Sequence, residues 1–498
     1  MLLNEIITWA IDGSVEPAQN ESNTYWIYGS PGIGKTSLAH SICEKLHDKT
    51  RLAGAFFCQR DNADLNEPMN ILPTLIRQLA IVFPPLRDIV AKRLRCDPHL
   101  TPASMKDTFF PDLIRALRRH PKHTLVFVID ALDETVNTES QLRILRALTI
   151  AAAQVTWLRI IISSRRETHI QSFFDTLADT PHSRCDLEND QKASEDLKTF
   201  ARKQFDSVAE GYPVTPWPPT RLFDKALSRA NRLFIFIKTI VLTLKACDDC
   251  DAATEFLEAA LQYSDVTGFK SLYKLYSNIL ELRTSKILGL PTARSPDRIQ
   301  EMIRVLVASA PYRSLRKETI AELTGVQPYL IEKWVAALSS LLYEDEGANK
   351  GVRVRHMSIS DFFISSECPS GYRVDLRDAN IQLGIACLTT MIGQLRFNIC
   401  KLKDSRLANA EIEDLQLRIG KHVSDALQYS CLYWSNHLCS NHRNDDQQGQ
   451  EQLKKFFEGW YPLFWIEVLS LMGMVSTCVP SLQRVILTCL EVSMHDSS

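Results

Sequence analysis

The sequence predicts an α/β domain with a doubly wound parallel sheet, followed by predominantly helical segments, and three observations carry that expectation. Apolar runs of strand length at 25–28, 52–58, 125–130 and 157–164 alternate with helix-compatible stretches, the pattern of strand–helix–strand units. The third and fourth runs are nearly continuous in apolar character, as strands covered on both faces must be. Between the first run and the helix-compatible segment 37–46 stands the octapeptide Gly29-Ser30-Pro31-Gly32-Ile33-Gly34-Lys35-Thr36.

Strand, glycine-rich turn and helix in that order make a phosphate loop. Glycines let the backbone curl so that several N–H groups point inward, and the helix that follows presents its positive dipole end. Gly29, Ser30, Pro31, Gly32, Ile33, Gly34, Lys35, Thr36 and Ser37 are therefore the candidate nucleotide-binding residues. Lys35 is expected to reach the β- and γ-phosphates, and the Thr36 hydroxyl to ligate Mg²⁺.

The second run, 52–58, ends at Gln59-Arg60 and precedes a helix with Ile71, Leu72, Leu75, Ile76 and Leu79 on one face. The third ends in Asp130, and Arg184-Cys185-Asp186-Leu187 is a shorter fifth strand candidate. Beyond the proline-rich connector Tyr212–Pro219, helical periods dominate at 221–245, 251–262, 269–285 and 298–309. Residues 315–364 differ: helix Lys317–Leu323, a turn near Gly325, helix Tyr329–Leu342, a turn at Glu346–Lys350 and an alternating strand Gly351–His356, the order of a winged helix. Its surface shows no basic excess, so a packing role is expected. The expected organisation is an N-terminal helical lead-in at 1–22, an NTPase domain at 23–210, a helical domain at 220–290, a winged helix at 298–366 and a C-terminal helical domain at 375–498. Asn441–Glu451 reads as a polar loop.

Composition narrows the function classes. With 498 residues, 45% hydrophobic and 23% charged, the chain is long enough for several globular cores. A formal net charge of −2 supplies no global field for nucleic acid or anionic membrane. Lys92–Arg95 and Arg115–Arg119 fit solvated helix faces. Thirteen cysteines without framework spacing fit reduced, buried thiols and a cytoplasmic location. Cys247 and Cys250 have knuckle spacing, but a zinc site would need Cys439 and His442 through an unsupported long-range contact. The amino terminus lacks the basic and apolar regions of a signal peptide. Leu233–Leu244 contains Lys238 and is too short to span a bilayer, while Tyr461–Pro480 carries Glu467 and Gly473; both read as buried helices.

Phosphoryl transfer needs more than the loop. Asp130, at the carboxyl end of a buried strand, is placed to hold Mg²⁺ beside Thr36. Asp133 and Glu134 can orient or deprotonate water, and spacing does not say which is the base. Arg165, after the fourth strand, is a candidate γ-phosphate sensor, and Arg60 a weaker one.

With these residues in place, Ile129–Glu134 is similar to the corresponding motif of the NACHT NTPases within the STAND class of signalling switches. Gly54–Arg60, Leu72–Ala80, Leu233–Phe236, His356–Phe363 and Leu427–Trp434 resemble the fungal set related to heterokaryon-incompatibility regulators, whose NTPase domain is nephrocystin-3-like. The resemblance covers roughly residues 20 to 470. It implies that ADP holds the NTPase and winged-helix modules closed, and that exchange for ATP permits opening and self-assembly, alone or with effector-bearing proteins. It also implies that His356 contacts the nucleotide's phosphates in the closed form; a histidine packed at a strand end is the alternative. The effector domain and WD-type repeats common in that family are not legible here. Arg232 stands where such proteins usually have glycine.

The expected function is thus a slow ATP-hydrolysing signalling switch with Mg²⁺, no base-reading residue separating ATP from GTP. A non-catalytic nucleotide-binding scaffold and an ATP-fuelled motor or remodeller are the alternatives. Neutral charge speaks against a nucleic-acid or membrane partner.

Overall fold

The structure, a computed structural model, describes residues 2–12, 23–96, 124–177, 183–189, 193–210, 212, 217–247, 249–262, 268–288, 296–345, 350–404, 406–439 and 447–495. Arg115–Arg119, Pro213, Pro216, Glu346–Asn349 and Asn441–Asp446 of the expectations above lie outside those residues. The chain divides into two compact units: Met1–Leu275 with His356–Ser358, and Tyr276–Arg355 with Ile359–Ser498.

The first unit opens with helix α1 (Leu2–Asp12), strand β1 (Thr24–Tyr28), α2 (Lys35–Asp48), β2 (Leu52–Phe57), α3 (Ile71–Val82) and α4 (Pro84–Cys96). It continues through β3 (Leu125–Asp130), α5 (Thr138–Gln154), β4 (Leu158–Ser164), α6 (Thr168–Thr176), β5 (Ser183–Asp186) and α7 (Ala193–Ala209), then α8 (Thr220–Ala230), α9 (Phe234–Leu244), α10 (Cys250–Ala260) and the first part of α11 (Phe269–Leu288). The five strands form one parallel sheet in the order β2-β3-β4-β1-β5. The expected short fifth strand is therefore present.

Alternation along each strand feeds two cores. Trp26, Tyr28, Phe127, Ile129, Ile160 and Ile162 face the side covered by Leu72 and Leu75 of α3, Leu145 and Leu148 of α5 and Phe174 of α6. Ile27, Val126, Val128 and Ile161 face Ile6 and Ala10 of α1 and Ala39, Ile42 and Leu46 of α2. Each fully buried aliphatic side chain contributes about 1.5–3 kcal/mol. This is why the third and fourth runs carry so few polar residues: neither face meets water.

Two expected helices end earlier than their periodicity indicates. The stretch 221–245 breaks where Asn231 (φ 40°) and Arg232 (φ 70°) take left-handed backbone in succession. Asn tolerates that region; arginine pays a steric penalty of about 1–2 kcal/mol, and its guanidinium donates to the Glu188 carbonyl. A glycine at this position would take the same backbone without that penalty.

The second unit continues with α12 (Pro296–Ser309), α13 (Lys317–Thr324), α14 (Pro328–Ala337), β6 (Leu342–Glu344), β7 (Val352–Val354), α15 (Met357–Ile364), α16 (Leu376–Gln394), α17 (Leu415–His422), α18 (Asp425–Leu438), α19 (Gln447–Glu458), α20 (Tyr461–Leu471) and α21 (Cys478–His495). Helix α13 stops at Gly325, whose φ of 69° suits glycine. Helix α14 ends at Ala337, not Leu342, because Leu342 pairs with Val354 in the antiparallel β6–β7 hairpin. The polar stretch read as a loop up to Glu451 is helical from Gln447 onward.

The apolar stretch 461–480 is not one buried helix. Helix α20 stops before Gly473 (φ 72°), and only one side of it packs. Trp465, Val468 and Leu469 are fully buried, whereas Leu463 is 56% exposed. Apolar composition predicted burial all round; contact with Trp434 and Phe456 covers one face alone. Among the described residues, no helix is long and apolar enough to cross a membrane.

The core of this unit holds one buried polar network. His437 Nδ1 lies 2.8 Å from Asn380 Oδ1, so Nδ1 carries the proton and donates; Nε2 accepts from the Tyr429 hydroxyl at 2.6 Å. Burial pushes the imidazole down to about 3. The folded state then binds fewer protons than the unfolded one, so this stability is present above the ordinary value of 6.5 and is lost as pH falls below it, by about 1.4 kcal/mol per pH unit. In urea unfolding between about pH 7 and pH 5, His437→Gln should remove that much of the slope; an unchanged slope contradicts a neutral buried imidazole.

Candidate functional site

Strand order decides what meets at the carboxyl edge of the sheet. Because β4 lies between β1 and β3, the residues that follow β4 stand between the phosphate loop after β1 and the acidic turn after β3. Ligands bind at this edge in open α/β sheets.

The loop has the backbone that a phosphate requires. Gly32 (φ 80°) and Gly34 (φ 102°) lie in the left-handed region. A Cβ on Gly32 would sit 2.2 Å from Ile235 Cγ2, so that position excludes every other residue twice over. Gly34 is the N-cap of α2 and offers no side-chain acceptor, unlike Asn137, which caps α5 by accepting from Glu139 and Ser140. The first-turn N–H groups of α2 are thereby left for an anion. Lys35 Nζ donates to the carbonyls of Gly29 (2.6 Å) and Ser30 (2.9 Å). Burial holds its pKa below the ordinary lysine value, with Asp133 opposing.

The carboxylates separate into distinct roles. Asp130 is 1% exposed at the end of β3; burial raises its pKa, opposed by hydrogen bonds from Ser163 and Thr36 and by Lys35. Ala131 follows in left-handed backbone (φ 54°), which a small residue tolerates and a β-branched one does not. That kink starts the short turn Leu132–Glu134. Asp133 is paired with Arg165: the Arg165 backbone N–H donates to Oδ1 at 2.8 Å and its Nε to Oδ2 at 3.1 Å. Glu134 accepts a long bond from the Arg60 backbone N–H, 3.4 Å. Burial and Asp133 push its carboxyl up to about 7, with Arg60 and Arg165 opposing.

Oxygen donors on Asp130 and Thr36 suit a hard divalent cation. The uncapped helix terminus and the glycine cradle suit a polyphosphate. The residues present therefore fit a Mg²⁺ nucleotide.

Several neighbours were not legible in the sequence. Ser163 bonds Asp130, and Ser164 accepts from Trp26 Nε1 at 2.9 Å while donating to the Arg165 carbonyl at 2.8 Å. Ser30 donates its backbone N–H to Glu188 at 3.0 Å, and its hydroxyl does the same. From α9, the Ile235 N–H donates to the Gly32 carbonyl at 3.3 Å.

His356 belongs to the first unit. Its Nδ1 accepts from the Ser358 N–H at 3.2 Å, which leaves the neutral ring's hydrogen on Nε2. Burial, followed by Arg165, Lys35 and Lys238, pushes the imidazole down to about 3. A Cβ on Gly32 would lie 3.6 Å from its Cε1. The ring is thus a neutral donor near the phosphate loop.

Residues 8–165 match the family model described as Nephrocystin 3, N-terminal, a span holding the phosphate loop, Asp130, Asp133, Glu134 and Arg165. The first unit is a P-loop NTPase-like domain. Among solved structures, this chain is similar to Drosophila ORC bound to DNA, at 13% identity over 74% of this chain and 95% of that one, with a TM-score of 0.28. It is also similar to a Walker-type ATPase of Pyrococcus abyssi, at 13% identity over 69% and 91%, with a TM-score of 0.32. Likenesses this remote carry no weight on partner or activity. No curated protein sequence matches the chain.

Gly32→Ala should destabilise the P-loop unit by about 1–3 kcal/mol in urea unfolding. Combining it with Ile235→Ala should recover the steric part alone. A neutral Gly32→Ala contradicts both the backbone conformation and the contact.

Proposed function

We propose that the chain is a nucleotide-dependent signalling switch that binds ATP or ADP with Mg²⁺ and hydrolyses ATP slowly. The observation that carries this reading is His356, which comes nearly two hundred residues after Arg165 in sequence yet belongs to the P-loop unit. A switch needs a group that contacts nucleotide in one state and not in the other. A neutral Nε2–H supplied by a segment distant in sequence is suited to that. The helix–turn–helix–hairpin order of α13, α14, β6 and β7 supports reading the segment before His356 as a winged helix.

Each residue has a place in the chemistry. Gly29–Ser37 cradle the phosphates, and Lys35 exchanges its carbonyl partners for β- and γ-oxygens. Thr36 and Asp130 would hold Mg²⁺, which when bound neutralises phosphate charge. Water attacks the γ-phosphorus as the bond to the β-phosphate oxygen breaks, and Glu134 accepts the proton. Asp133 accepts the Arg165 backbone N–H, a bond that does not depend on where the guanidinium points, which makes Glu134 the better base. Arg165 turns from Asp133 to the γ-phosphate and so reports its presence.

This reading yields two expectations. ADP with Mg²⁺ at about 100 times its dissociation constant should stabilise the chain by about 2.7 kcal/mol, and Lys35→Ala should abolish the shift; a full shift in the variant places the nucleotide elsewhere. Turnover should stay below about one per minute and rise about tenfold from about pH 6 to pH 8 as Glu134 ionises, its carboxyl standing at about 7. Glu134→Gln should lose turnover and keep binding. Loss in Asp133→Asn alone moves the base to Asp133, binding without turnover favours the scaffold, and rapid turnover stimulated by nucleic acid favours a motor.

A further inference from the structure

The hydroxyl of Ser163 makes two bonds that together leave it one orientation. Its oxygen accepts the Ala131 N–H at 3.0 Å, and its hydrogen goes to Asp130 Oδ1. A hydroxyl has one hydrogen to give, so the accepted N–H fixes where that hydrogen points. Ser163 is 1% exposed, as is Asp130, and water is not at hand to replace either bond. The backbone beneath is equally constrained, since Ser163 pairs with Ile27 in the register of β4 against β1. Ser164, one residue on, is bonded by Trp26 Nε1. The hydroxyl is therefore presented to Asp130 by a strand that cannot shift without disturbing β1 and the phosphate loop.

We propose that Ser163 is a positioning residue for the Mg²⁺-holding carboxylate, fixing the rotation of Asp130 from the β4 side. The proposal rests on the nucleotide-site reading above. It assigns Ser163 no contact with substrate. A carboxylate without this bond can rotate about its last torsion before a cation arrives; one held by Ser163 keeps its place. Preorganisation of this kind acts on cation affinity and leaves the phosphate-binding backbone of the loop untouched. The same hydroxyl also satisfies the N–H of the left-handed Ala131, so the turn that carries Asp133 and Glu134 is held by the residue that holds Asp130.

The test is titration of MgCl₂ against the full chain with saturating ADP, following thermal unfolding, beside ADP binding in excess EDTA. In Ser163→Ala the Mg²⁺ concentration for half-maximal stabilisation should rise about tenfold or more, since a hydrogen bond to a charged group is lost. ADP affinity in EDTA should change less than about twofold, and Ser163→Thr, which restores the hydroxyl on a strand-compatible residue, should return the Mg²⁺ dependence to near wild type. If Ser163→Ala does not fold, Ser163→Cys keeps the volume with a weak donor and carries the same expectation. An unchanged Mg²⁺ dependence in these variants, an equal loss of binding in EDTA, or failure of threonine to rescue overturns the role of Ser163. A wild-type chain whose ADP binding ignores Mg²⁺ defeats the nucleotide-site reading itself.

Discussion

The ion pair between Asp133 and Arg165 is the interaction on which the arrangement of the site depends. Asp133 has a side chain only 2% exposed and Arg165 one 16% exposed, so neither charge is solvated well enough to stand alone. Removing one partner of such a pair costs about 3–5 kcal/mol because the other is left buried and uncompensated. The pair ties the turn after β3 to the turn after β4, and those turns carry the remaining functional groups. An anion that draws Arg165 away must also alter what balances Asp133, which stands next to Glu134. In the proposed function, binding of a third phosphate would thereby be coupled to the residues that hydrolyse it.

Much of the first unit could be read from the residues. Strands covered on both faces leave an unmistakable trace, because every side chain from Leu125 to Ile129 must be apolar. The phosphate loop leaves another, because Gly32 and Gly34 answer to backbone geometry that other residues resist. The roles of Asp133 and Glu134 were not legible, since adjacent carboxylates look alike until a partner such as Arg165 engages one of them. Ser163 was hidden for a similar reason: its importance comes from strand order, which places β4 beside both β1 and β3, and strand order has no local signature. Helix ends were misjudged where a tertiary contact outweighed periodicity, as at Leu342 in the hairpin and at Asn231-Arg232 in the left-handed break. The one-sided packing of α20 was hidden too, because apolar composition does not reveal which face meets a neighbour.

Electrostatics give the site its direction. Burial and then Arg165, Lys35 and Lys238 all act on His356 to keep its ring neutral. On the proposed function a polyphosphate would bring negative charge to these cations, and its length would decide how many of them it satisfies. In the proposed function a diphosphate would engage the loop and Lys35 and leave Arg165 with Asp133, whereas a triphosphate would take both. On that proposal, two nucleotides that differ by one phosphate would leave the same residues in different pairings, as a switch requires.

The most direct measurement is the identity and amount of small molecule released when the purified chain is denatured, determined by mass and compared with Lys35→Ala. A nucleoside diphosphate near one per chain is expected from the wild type, with none from the variant. A wild-type chain that releases no nucleotide, and takes up none from millimolar ADP with Mg²⁺, would contradict the account.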